Sequence, residues 1–195
     1  MSGKWIFICG PSGVGKDSLI AWAKRALAGQ SGIVFARRLV TRVAQPDSDD
    51  DTVDEAKFSS LRQSDGLHWH WQAHGLLYGI SQGYAAHFDT GGIVVINGSR
   101  RHVDGLPASP DIKQVEITGS PDKIAARLAQ RGRESQEAVA HRLARNSGFA
   151  QNSPSKADLI ISNDADIAQA GSALATYLAT QAGINAALAR PMTSA

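Results

Sequence analysis

The residues with the clearest chemical potential are Gly10-Pro11-Ser12-Gly13-Val14-Gly15-Lys16-Asp17. Glycines at this spacing let successive backbone N–H groups curl around a phosphate at the start of a helix, whose dipole also favours an anion. Lys16 adds a full positive charge aimed at the β- and γ-phosphates of a nucleotide. The motif follows the apolar run Trp5-Ile6-Phe7-Ile8-Cys9 and precedes an amphipathic stretch, the strand-to-helix setting that a P-loop requires. Gly10 through Ser18 are therefore candidate ATP-binding residues. Asp17 stands where Ser or Thr is usual, with Ser18 one place later. A carboxylate there can bind Mg²⁺ directly or through water, or it can be a helix-start Asp favoured by the dipole.

A second constellation is Arg127, Arg131, Arg133, Arg142 and Arg145. Arg131-Gly132-Arg133-Glu134 reads as a charged joint between two helices, and Arg142 and Arg145 share a helix face. Such arginines can close over a triphosphate and neutralise the transferring group, or they can form a solvated basic face. His68 and His70, with His74 nearby, make a zinc site conceivable, but no cysteine or matching carboxylate set accompanies them. Trp69 and Trp71 read as packing residues, and the acidic run Asp47–Asp51 reads as a solvated loop.

Elements able to position these groups recur along the chain. Trp5–Cys9, Ile33–Phe35, Ile93–Ile96, Ile112–Ile117 and Leu159–Ile161 read as five buried strands. Leu19, Ala23, Ala26 and Leu27 share one helical face that stops at Gly29. Ser120-Pro121-Asp122 is a helix start, Ser135 can cap another helix, and Ile167, Gly171, Leu174 and Leu178 mark a C-terminal helix. Strands alternating with helices predict an α/β fold with a mainly parallel five-stranded sheet flanked by helices. The expected organisation is one domain, with its core at about 1–36 and 91–182. A small insertion folded over the sheet is expected at about 37–90, its His68-Trp69-His70-Trp71 alternating like an exposed strand, and an arginine lid at about 127–147.

Composition narrows the class further. Of 195 residues, 43% are hydrophobic, enough for a core and too many for a disordered chain. Twenty Lys and Arg against eighteen Asp and Glu leave +2, too even for a general nucleic-acid coat. One cysteine, Cys9, excludes a disulfide framework. Apolar runs fall far short of the roughly 20 residues that span a membrane. With no signal-peptide layout at its start, the chain reads as soluble and cytoplasmic.

The order of these features resembles guanylate kinase-like P-loop kinases. It comprises the P-loop, the Thr41-Arg42 step, His74-Gly75-Leu76-Leu77-Tyr78-Gly79, the arginine lid and Asn163-Asp164 after the last strand. The likeness runs from about Lys4 to Leu178. Within that group, several details are most similar to the ribose 1,5-bisphosphate phosphokinase family of phosphonate breakdown. They are Gly-Lys-Asp in the P-loop, Arg38-Leu39-Val40-Thr41-Arg42, Ala73-His74-Gly75, Val95-Ile96-Asn97-Gly98-Ser99-Arg100 and Arg131-Gly132-Arg133-Glu134. The resemblance implies ATP-dependent phosphorylation of ribose 1,5-bisphosphate to 5-phosphoribosyl 1-diphosphate. A nucleoside monophosphate kinase and a non-catalytic module on the same fold are the alternatives.

Departures from guanylate kinases matter as much as the matches. Gln45 replaces a second arginine, Arg38 a serine, Gln72 the glutamate that reads guanine, and Ile80 a hydroxyl residue. An amide in place of a carboxylate turns an acceptor pair into one donor and one acceptor, which a guanine edge does not match. Arg38 and Arg42 still offer planar phosphate recognition. The implied roles are Lys16, Arg131, Arg133, Arg142 and Arg145 in catalysis, and Arg38, Arg42, Gln72, Tyr78 and Asn97 at the acceptor. Asn163 is implied near the adenine, and Asp17 is read as the Mg²⁺ ligand, with Asn97 hydrogen-bonding the acceptor or a water.

Overall fold

The computed structural model describes residues 2–44, 49–130 and 156–184. Strand β1 (Lys4–Cys9) carries the first apolar run and is buried from Trp5 to Cys9. Helix α1 (Lys16–Ala26) follows the glycine-rich loop and buries Leu19, Trp22 and Ala23. Then come β2 (Ile33–Phe35), β3 (Arg38–Val40), β4 (Asp51–Thr52), α2 (Glu55–Gln63), β5 (Leu67–Ala73) and β6 (Leu76–Ser81). The chain continues through α3 (Ala85–Asp89), β7 (Ile93–Asn97), α4 (Arg100–Asp104), β8 (Ile112–Thr118), α5 (Pro121–Gln130), β9 (Leu159–Ser162) and α6 (Ile167–Gln181).

The five strands expected from the apolar runs form one sheet in the order β2-β7-β1-β8-β9. Ile33 pairs with Ile93 and Val115 with Leu159, both in parallel ladders. Strand β1 is central, with β7 on one side and β8 on the other. The loop after β1 thus leaves the carboxyl end of a strand where the connections diverge, the usual ligand position in open α/β sheets. By packing, the described chain divides into two units, Met1–Phe7 with Gln30–Ile112, and Ile8–Gly29 with Lys113–Ala195.

In the second unit, α6 lies against α1. A Cβ on Gly171 would sit 2.5 Å from the Trp22 ring, so the absence of a side chain there permits the approach. Leu174 and Leu178 are fully buried on the same face, each worth about 1.5–3 kcal/mol of burial. Ile167 departs from its expected inward position and is 41% exposed, because it occupies the first turn just after the Asp166 cap.

The first unit holds a second sheet, order β4-β3-β6-β5. Strands β5 and β6 form a hairpin whose two loop residues, His74 and Gly75, both have positive φ, as a type I′ turn requires. The segment His68–Trp71, expected as an exposed strand, is the interior of β5, and Trp71 is buried. Its ring stacks on Tyr78 (5.6 Å) and on His102 (5.0 Å). His68 stacks on Trp5 at 4.3 Å, and Trp69 meets Trp5 and Phe7 edge-on. Among the described residues no His, Cys, Asp and Glu side chains group as a metal site. No described helix is long and apolar enough to cross a membrane.

Burial, with a smaller contribution from His70, lowers the His102 pKa from 6.5 to about 4. Folding therefore favours neutral His102, and stability present above the unfolded pKa of 6.5 is lost as pH falls toward about 4. Thermal melts across that interval should show a smaller loss of Tm for His102→Phe, which keeps the stack on Trp71. Parallel pH profiles for the two proteins would remove His102 as the source.

Candidate active site

The loop between β1 and α1 is shaped by backbone that only glycine tolerates well. Gly10, Gly13 and Gly15 have φ of +140°, +86° and +96°. A Cβ on Gly10 would collide with the Ile117 carbonyl, and one on Gly13 would press into Leu128. Lys16 opens α1, and its ammonium donates to the carbonyls of Gly10 (2.7 Å) and Pro11 (3.0 Å), which holds the charge at the loop. Helix α1 has no side-chain cap, because its N-cap is Gly15. By contrast, Asp54 and Asp166 cap α2 and α6 through Lys57 N and Ala168 N. A nucleotide phosphate at the α1 terminus can supply the capping that a glycine N-cap does not. Asp17 and Ser18 are exposed in that turn, so the Asp17 carboxylate is accessible to a hydrated Mg²⁺.

Two residues beyond the motif hold the loop from behind. Asn163, 3% exposed, donates from Nδ2 to the Val14 carbonyl at 2.8 Å, and its buried Oδ1 finds no hydrogen-bond partner among the described residues. Arg127 donates to the carbonyls of Val14 (3.2 Å) and Asn163 (2.7 Å). Arg127, grouped by sequence with the lid arginines, is thus bound to the P-loop and the end of β9. Asp164 accepts from Ser120 N (2.7 Å) and from the Ser162 hydroxyl, and the Lys123 ammonium donates to its carbonyl. The Ser120 N–H is the main reason that the Asp164 carboxyl lies below the usual carboxylate range. These contacts tie β8, α5 and β9 to the loop. Sequence spacing gave no sign of the Arg127 contact, which joins residues 113 apart.

The acceptor candidates Arg38, Arg42, Tyr78 and Asn97 meet in the first unit. Arg38 donates from Nε and Nη2 to the two oxygens of Asp50 (2.8 and 3.1 Å), and from Nη1 to the Asn97 carbonyl (3.2 Å). Arg42 donates to the same Asp50 carboxylate at 2.8 Å. The Arg38 guanidinium also lies over the Tyr78 ring, 5.3 Å from its centre. Asp49 and Asp51 pair with Arg37, at 2.7 Å in each case. The acidic run, expected as a solvated loop, is in its described part an ion-paired complement to Arg37, Arg38 and Arg42. Sequence reasoning missed Asp50. The pairs of Arg37 are exposed and worth little, whereas a buried pair costs about 3–5 kcal/mol to break.

Gln72 is not brought to this cluster. It faces Leu77 across the hairpin and is exposed, whereas Trp71 faces Tyr78, so Gln72 and Tyr78 project from opposite faces of the sheet. Ile80 is fully buried opposite Arg38 and Trp69, which leaves no hydroxyl at that position. Gln45, Arg131, Arg133, Arg142 and Arg145 lie outside the described residues.

No family model matches the chain. It is 40% identical over 179 residues to a ribose 1,5-bisphosphate phosphokinase from Methylobacterium radiotolerans, covering 91% of this chain and 98% of that protein. A relative of the same name from Thiobacillus denitrificans is 34% identical over 90% of this chain and 93% of its own length. Another, from Laribacter hongkongensis, is 40% identical over 92% of this chain, which spans only 43% of that longer protein. Among solved structures, guanylate kinase from Anaplasma phagocytophilum superposes with a TM-score of 0.65, covering 95% of this chain and 89% of that one at 16% identity. That likeness shows a shared fold. Taken with the identity across nearly the full length of two relatives, the chain belongs to the ribose 1,5-bisphosphate phosphokinase family.

Proposed function

We propose that this protein transfers the γ-phosphoryl group of ATP to ribose 1,5-bisphosphate, forming 5-phosphoribosyl 1-diphosphate and ADP. The observation that carries the reading is the 40% identity over 98% of a relative bearing that name. A P-loop with an uncapped helix start supports the donor side. Arg38, which lies over the Tyr78 ring, and Arg42, which shares its Asp50 partner, support a phosphorylated acceptor.

In the reaction, an oxygen of the 1-phosphate attacks the γ-phosphorus, a new P–O bond forms, and the bond to the β-phosphate oxygen breaks. With a second pKa near 6, a phosphate nucleophile is largely ionised at neutral pH, so no strong general base is needed. Catalysis then reduces to positioning and charge neutralisation. The loop N–H groups and Lys16 hold and neutralise the donor phosphates. Arg38 and Arg42 take the acceptor phosphate, with Tyr78 beneath Arg38 and Asn97 fixing it from its carbonyl. Asp17 would hold Mg²⁺, which when bound would neutralise charge on the donor phosphates. Arg131, Arg133, Arg142 and Arg145 are assigned to the charge of the transferring group, and Asn163 to the wall beside the adenine. The reading places the enzyme in the cytoplasm, in phosphonate breakdown.

An acceptor screen with ATP and Mg²⁺ tests it. Ribose 1,5-bisphosphate should be phosphorylated at least about a hundredfold faster than GMP at equal concentration, as expected of a site whose polar groups match one ligand and leave those of the other unpaired. Conversion of GMP to GDP without formation of 5-phosphoribosyl 1-diphosphate would sink the reading.

A further inference from the structure

Asp50 is the residue that the proposed acceptor site does not yet account for. Its side chain is less exposed than those of its two partners, at 8% against 16% for Arg38 and 23% for Arg42. It accepts a fork from Arg38 and a third N–H from Arg42 on one shared oxygen. Its place is set by backbone. Strand β4 runs parallel to β3 with Asp51 beside Leu39, and one step back along both strands sets Asp50 beside Arg38. Arg38, Arg42, Tyr78, Asn97 and Asp50 all belong to the first unit.

We infer that Asp50 is a positioning residue for acceptor phosphate recognition, holding Arg38 and Arg42 as one preset pair. The inference rests on the acceptor role given to those arginines above. Three of the five Arg38 N–H groups are bonded, to Asp50 and to the Asn97 carbonyl, and the Tyr78 ring covers one face of the guanidinium. Its remaining N–H groups are thereby aimed in a fixed direction. The Asp50 side chain is more buried than either arginine side chain that it binds, so the arginines are the more accessible members of the set. The rotamer entropy of two long side chains is then lost on folding and not on binding, which favours affinity. The single negative charge also relieves the repulsion between two neighbouring guanidiniums.

The test compares wild type, Asp50→Asn and Asp50→Glu. An amide keeps the shape but aims an N–H at a guanidinium N–H, so one arm of the pair is released. For Asp50→Asn, the KM for ribose 1,5-bisphosphate should rise tenfold or more, with kcat within threefold of wild type and the KM for ATP unchanged. Asp50→Glu keeps the charge and should recover part of the loss, leaving KM about threefold above wild type. If Asp50→Asn does not fold, Asp50→Glu decides alone by the same split. An unchanged acceptor KM would make Asp50 a purely structural partner, and a lower one would make it a competitor for the arginines. Either result overturns the inference.

Inorganic pyrophosphate separates this failure from failure of the functional reading. Titrated in saturating ADP and followed by tryptophan fluorescence, it should bind wild type at least tenfold more tightly than Asp50→Asn. That difference stands even if ribose 1,5-bisphosphate is not the acceptor, and equal affinities count against Asp50.

Discussion

Replacing Lys16 by alanine is expected to lower kcat about 10²- to 10³-fold, the loss of roughly 2.7–4 kcal/mol seen when one preorganised charge-stabilising donor is removed. The ammonium is already at the loop, held by the carbonyls of Gly10 and Pro11 at 2.7 and 3.0 Å. Little reorganisation is then needed for it to meet a phosphate. Because charge on the transferring group is largest in the transition state, kcat should fall more than the affinity for ATP. Lys16→Arg should not restore the rate, since a planar fork cannot replace a compact ammonium on the same two carbonyls. Circular dichroism should show an intact fold, because Lys16 lies outside the buried set. A Lys16→Ala protein with turnover within fivefold of wild type would remove the P-loop from the mechanism.

The donor half of this site was legible because its information is local. An apolar run, three glycines and a lysine within twelve residues specify β1, the loop and the start of α1 together, and the observed elements begin and end within a residue of the expected ones. The five-stranded sheet was legible for the same reason, since Trp5–Cys9, Ile33–Phe35, Ile93–Ile96 and Leu159–Ile161 are short continuous apolar runs, and only Ile112–Ile117 is interrupted, by Lys113, Gln114 and Glu116. The 38–81 region was not. Its hairpin turns on His74-Gly75, whose glycine was a usable signal, and α2 announces itself only through Asp54 as a cap. Asp50 gave no local signal. Its role depends on a two-residue strand, β4, pairing with β3, and an acidic run reads as solvated until that pairing sets it against Arg37 and Arg38. Arg127 and Asn163 were singled out in the sequence, but their contacts with the Val14 carbonyl were not legible, because both reach it from across the sequence.

That support makes Gly15→Ala the second large effect, and Gly29→Ala its control. Both glycines have positive φ, +96° and +83°. An alanine in the left-handed region therefore costs about 1–2 kcal/mol of stability at either position. Only their surroundings differ. A Cβ on Gly29 meets nothing within 4 Å, whereas one on Gly15 would stand 2.5 Å from Asn163 Nδ2. Asn163 cannot retreat cheaply, because it is 3% exposed and that same nitrogen donates to the Val14 carbonyl. The clash must therefore be relieved by moving the loop or by breaking the bond that braces it, and either displaces the N–H groups that bind phosphate. A misplacement of about 1 Å can cost on the order of 10²-fold. Gly15→Ala should accordingly weaken ATP binding by about a hundredfold in a calorimetric titration, while Gly29→Ala binds ATP as wild type does. Their melting temperatures should fall by similar amounts, so the difference in ATP affinity isolates the loop from the fold. Equal ATP affinities in the two variants would mean that the Asn163 brace does not shape the nucleotide site.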